Sequence, residues 1–169
     1  MAWSGLDVPG HFHASEDKQA IRDEVFSILQ RHDFHVDATI VEKAKAYPHV
    51  RGTDLRFHKT AWYLHMKAVA PLVADHGELL VVASSLGTRR QRQGFATALD
   101  DVINHVRGGA TYRTAFWSAG SDPCLEVADY CCWAIQRKWE RGDERSYGLI
   151  KGKIRIETDV FRSGATLHY

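Results

Sequence analysis

Asp122 followed by Pro123 is the feature that most constrains how this chain can fold. An aspartate side chain accepts hydrogen bonds from the free N–H groups of a helix start, and a proline at the first helical position has no N–H to leave unpaired. A helix therefore begins there, and Gly142 is a suitable stop. Leu125, Ala128, Cys132, Ile135 and Trp139 recur at helical spacing and define its expected buried stripe.

Three further helices are expected upstream. Ile21, Val25, Ile28 and Leu29 mark the first, which Ser15 caps, with Glu16 and Asp17 in its opening turn, and which ends near Arg31. Trp62, Met66, Val69 and Val73 mark a longer one that Pro71 kinks near its end, and Phe95, Leu99, Ile103 and Val106 a third that closes at Gly108 and Gly109. Between them, Phe34 to Val41 alternates apolar and polar residues, the period of a strand with one face on a core. Leu79 to Ala83 is a continuous apolar run too short for a helix, as expected of a central strand covered on both faces. Tyr112 to Trp117 reads as another strand, and a short helix around Tyr147 to Lys151 leads into an alternating edge strand from Ile154 to Val160. Strands separated by helices of this length point to one α/β domain over residues 1–169, with some parallel pairing.

Composition narrows the function classes. With 44% hydrophobic and 25% charged residues the chain is that of an ordinary globular protein. No stretch approaches the roughly 20 apolar residues of a membrane span, and Met1 to Gly10 lacks the pattern of a secretory signal, so a cytoplasmic protein with no membrane partner is expected. Cys124, Cys131 and Cys132 crowd into one helix and read as reduced core thiols. A net charge of +1 means that nucleic acid could be held only by a local basic patch.

Asp129 is the leading candidate for chemistry. At 100° per residue it falls inside the apolar arc of its helix, so it should be partly buried and must be neutral, hydrogen-bonded, paired with a cation or bound to a metal. The plain alternative is a satisfied structural hydrogen bond. Asp37 sits on its strand opposite in parity to the apolar residues; only if it approached Asp129 could the two carboxylates help to hold Mg²⁺ or Mn²⁺ for phosphodiester hydrolysis. His11 and His13, with Glu16 and Asp17 close behind, form either a ligand cluster or a surface segment. Arg89, Arg90 and Arg92 begin a helix, the end where positive charge is unfavourable, which hints at a phosphate or acidic partner, although a solvated basic turn is the commoner explanation. Lys151, Lys153 and Arg155 could extend such a patch, with Trp117 and Trp133 as stacking groups unless they are core.

The segment DPCLEVADYCCWAIQRKWERGDER, with FHASEDKQAIRDEVF and FHVDATIVEK earlier, resembles the family catalogued as domain of unknown function 3800. The likeness continues through LRFHKTAWYLHMKAVAP, LLVVASSLGTRR, RTAFWSAGSDP and KIRIETDVFRSGAT, so it covers nearly the whole chain, with Ala128 and Asp129 on the most recognisable motif. It implies a ribonuclease-H-like mixed sheet with helices packed on its faces, metal-dependent cleavage of nucleic acid, and Asp129 as the late helix acid, with Asp37 and His13 at less distinctive polar positions. Members of that family open with a strand carrying an aspartate-glutamate-serine motif, and no such motif occurs here. The fold is thus expected to be abbreviated at its N-terminus, with a weakened divalent site. The alternative function is an interaction module, a homo-oligomer or a subunit whose partner chain covers an exposed sheet edge.

Overall fold

The computed structural model describes residues 10–72, 78–85, 89–106 and 111–161. In chain order these hold α1 (Gln19–Gln30), β1 (Val36–Ile40), α2 (Pro48–Arg51), α3 (Asp54–Val69), β2 (Leu79–Ser84), α4 (Arg89–Val106), β3 (Tyr112–Trp117), α5 (Pro123–Arg141), α6 (Arg145–Ile150) and β4 (Ile154–Asp159). The protein is α/β, and among the described residues no helix is long and apolar enough to cross a membrane. Among the described residues β1 pairs with β4 and β2 with β3, each as a two-stranded sheet, and a ribonuclease-H-like mixed sheet is not confirmed. Both pairs run parallel, because Leu79 N–H donates to Thr111 C=O where β2 and β3 begin, and Val160 N–H to Ile40 C=O where β1 and β4 end. The chain divides into two compact units, one of residues 1–36 and 117–155, the other of residues 37–116 and 156–169.

The first unit is built on α1, α5 and α6. The Asp122 carboxylate accepts from the N–H groups of Cys124 and Leu125 at 2.8 and 3.1 Å, and Gly142 closes α5 at φ 66°, a left-handed conformation that suits glycine. Asp122→Ala should cost about 0.5–2 kcal/mol, read as a lowered denaturation midpoint with an unchanged slope. The buried face of α5 is Tyr130, Cys131, Ala134 and Ile135, with the Tyr130 ring meeting Phe26 of α1 edge-on at 5.5 Å. This corrects the expected stripe, of which Ala128, Cys132 and Trp139 are exposed. The helix carries apolar side chains around most of its circumference, so spacing alone does not say which arc is covered. The expected core thiols are corrected with it: Cys131 is buried, whereas Cys124 and Cys132 are exposed.

The start of α1 also differs. Its N-cap is Lys18, which has no capping side chain, and Ser15 lies in a turn ahead of it. The Asp17 carboxylate turns back to accept from His13 N–H at 2.8 Å and from the Tyr130 hydroxyl. A tertiary use of that carboxylate has displaced the local one.

In the second unit α3 and α4 cover one face of the β2–β3 pair. Met66, Ala83, Leu99, Val102 and Ile103 are buried together, and Trp62, Tyr63, Val81, Tyr112 and Phe116 pack around them. Thr114 ties β3 to α4 by donating to the Asp100 carboxylate at 2.8 Å. A second cluster joins Ala46, Val50 and Phe161, with Val41 and Phe57 against it. Pro71 sits in a 3-10 turn, Ala70–Leu72, that tightens the end of α3. Val73, Gly108 and Gly109 lie outside the described residues. Among the described residues β2 is not the doubly covered central strand that its apolar run implies: it pairs there with β3 alone, and Leu80 is 55% exposed.

Candidate functional site

Within the first unit a histidine and an aspartate far apart in sequence meet. His13 Nδ1 lies 2.9 Å from Asp129 Oδ2, and the same oxygen accepts Ala14 N–H at 2.9 Å. With the carboxylate ionised, Nδ1 carries the donated proton and Nε2 is the free edge of the ring. That edge faces Glu16 Oε1 at 4.0 Å. Backbone bonds fix the approach of the segment. Asp17 holds His13 N–H, Glu126 accepts Phe12 N–H at 3.3 Å, and Arg22 donates to Ala14 C=O at 2.8 Å while its guanidinium lies 4.9 Å from the centre of the Trp133 ring. Both side chains of the pair are partly open, His13 at 40% and Asp129 at 33%, as a reacting pair must be to meet a substrate.

The hydrogen bond to Asp129 raises the His13 pKa above its ordinary 6.5; burial opposes this, and the charges of Asp129, Glu16 and Asp17 assist. The contact with Asp129 therefore favours the imidazolium relative to a free histidine. Burial, followed by the bond to Asp17, pushes the Tyr130 phenol up, so it remains a neutral donor.

Of the residues singled out in the sequence, His13 and Asp129 are thus brought together. Asp37 belongs to the second unit. It shares a strand face with Thr39, whose hydroxyl lies 3.0 Å from His65 Nδ1 on α3. Burial lowers the His65 pKa, and the Asp37 charge partly restores it. The two histidines make opposite contributions to stability. The His13 contribution is complete below the unfolded value of 6.5 and is lost as pH rises through its raised folded value. That of His65 is present above 6.5 and is lost as pH falls through its lowered folded value. Histidine Cε1 proton resonances followed by NMR should show the two titrating on opposite sides of 6.5, and in Asp129→Asn the His13 inflection should move down while that of His65 stays.

Among the described residues no three histidine, cysteine, aspartate or glutamate side chains gather where a metal ion could be held. Asp129 Oδ2 is committed to His13 and Ala14. The described residues therefore do not fit the Mg²⁺ or Mn²⁺ site that the family resemblance implies. Arg89 and Arg92 are exposed in the first turn of α4, and Lys151 is exposed after α6, while the side chain of Arg90 lies outside the described residues. Lys153 is bound otherwise, donating to His32 C=O with its ammonium over the Phe34 ring. Trp133 lies under the guanidiniums of Arg22 and Arg137 and is a packing group, and Trp117 is 41% exposed.

Tyr130 and Arg22 were not legible as supports of the site, whereas Asp17 stands beside His13 in the candidate ligand cluster of the sequence. Their signal is weak: Asp17 has the spacing of a helix-start acid, and Tyr130 that of a core aromatic. No family model, curated protein or solved structure matches the chain.

Proposed function

We propose that the protein is a nuclease-like hydrolase of the phosphodiesters of nucleic acid, with His13 and Asp129 as its acid–base pair. The 2.9 Å contact between His13 Nδ1 and the Asp129 carboxylate carries this reading. Breaking a phosphodiester leaves an alkoxide that needs a proton. In the proposed step a water oxygen bonds to phosphorus, the P–O ester bond breaks, and the proton on His13 Nε2 passes to the departing oxygen. A proton released by the attacking water restores the imidazolium. Asp129 orients the ring and favours its charged form, and Lys151 of the same unit is an exposed cation accessible to a phosphate backbone; Arg89 and Arg92 are exposed cations of the second unit.

Labelled single- and double-stranded DNA and RNA, incubated in EDTA and separately with Mg²⁺ or Mn²⁺, test it. Cleavage should persist in EDTA and disappear in His13→Ala and Asp129→Ala. Uncut substrates, or cleavage that survives Asp129→Ala, would remove the proposal.

A second reading, an interaction module working through a sheet edge, is favoured by one observation. Parallel strands are ordinarily found inside larger, covered sheets, whereas among the described residues β2 has a single neighbour and a 55% exposed leucine, Leu80.

A further inference from the structure

We propose that two copies of this chain pair antiparallel through the open edge of β2, joining their β2–β3 pairs into one four-stranded sheet; this rests on the second reading above and names its partner.

Leu79 N–H points to β3, where it meets Thr111 C=O. In a parallel ladder every second residue faces the same neighbour, so Val81 and Ala83 also address β3. Leu80, Val82 and Ser84 therefore point their N–H and C=O groups outward, and among the described residues no backbone bond reaches them.

Natural edges are blunted by charge, proline or a bulge. The sequence of β2, LLVVAS, has no charge and no proline. An antiparallel copy of this strand sets no like charges opposite each other. With Val82 on the two-fold axis, Val82 faces the partner's Val82 and Leu80 faces the partner's Ser84, in the close hydrogen-bonded pairs of an antiparallel ladder. The register uses all three outward residues on each side, and Leu80 comes to lie beside the partner's strand.

The ends complement each other. Glu78, ion-paired with Arg113, stands just before β2, whereas beyond its far end α4 begins with the exposed Arg89 and Arg92. Antiparallel pairing sets the compensated Glu78–Arg113 pair of one copy, and not a second set of arginines, toward the helix start of the other. A parallel arrangement would instead set like ends together.

Light scattering over a dilution series, with amide exchange on the same samples, tests the pairing. The expected result is a dimer that dissociates on dilution, with the Leu80, Val82 and Ser84 amides protected in the dimer and open in the monomer, and the Val81 and Ala83 amides unchanged. Because Val82 faces its own copy, Val82→Lys and Val82→Glu should each weaken self-association by about tenfold or more, and an equimolar mixture should restore the dimer. A monomer at every concentration with those three amides exchanging freely overturns self-pairing but leaves the edge open to another strand. A monomer in which they are protected overturns the second reading as well. A dimer that both charged variants retain also overturns the proposal, because the copies then meet elsewhere. If the variants fail to fold, the wild-type exchange data alone decide.

Discussion

His13→Ala is expected to lower the rate of phosphodiester cleavage by about 10²–10⁴-fold, the usual contribution of a positioned acid or base. The side chain is partly exposed and belongs to no core cluster, so the loss should come with little change in fold, checked by circular dichroism. Asp129→Asn separates the roles within the pair. The amide oxygen can still accept Ala14 N–H, but the negative charge that favours the imidazolium is gone. The alkaline limb of the pH–rate profile, set by loss of the His13 proton, should therefore begin at lower pH than in the unaltered protein. The two substitutions together should cost hardly more than His13→Ala alone, since Asp129 acts through the ring it holds. Fully additive losses would show that Asp129 reaches the substrate independently, and the paired mechanism would fail.

That pair was half-visible before any coordinates. Asp129 is conspicuous because a carboxylate on an apolar helix arc must find a partner, and its side chain is indeed only 33% exposed. His13 is conspicuous only as one histidine among ten. Nothing in local spacing can join residues 116 positions apart; their meeting depends on the turn before α1 docking onto α5, a tertiary event. Asp17 shows the same limit from the other side. Its position suits the first turn of a helix, yet two donors elsewhere, His13 N–H and the Tyr130 hydroxyl, offer a partly buried carboxylate more than an exposed helix start does.

Helix and strand positions were more legible than their surroundings. The alternation of Phe34 to Val41, the aromatic-rich Tyr112–Trp117 and the Asp122–Pro123 start all specify conformation through neighbours in the chain; the last two elements form where they are expected, and the first forms over the shorter Val36–Ile40. Which face of α5 is covered, and how many neighbours β2 has, depend on what packs against them. An apolar run such as Leu79–Ala83 says that burial is favourable. It does not say what supplies the cover, and here α3 and α4 supply it on the face of Val81 and Ala83.

The cover from α3 and α4 makes Leu99→Ala a strongly damaging truncation in the second unit. Leu99 is 0% exposed on α4, packed with Met66 of α3, Ala83 of β2 and Val102 and Ile103 of its own helix. Removing it deletes the transfer energy of the lost atoms and leaves a cavity between two helices and a two-stranded sheet, at a cost of about 2–5 kcal/mol. Against a total stability of roughly 5–15 kcal/mol for a domain, that is a large share. Ile103→Val, which removes a single methylene from the same cluster, should cost only about 0.5–1.5 kcal/mol. Chemical denaturation measures both, and amide exchange should place the lost protection in α3, α4 and β2. A Leu99→Ala cost no larger than that of Ile103→Val would mean that the site collapses freely around the deletion. The helices could not then be clamping the sheet from one side, and the contacts of Val81 and Ala83 with them would have to be loose.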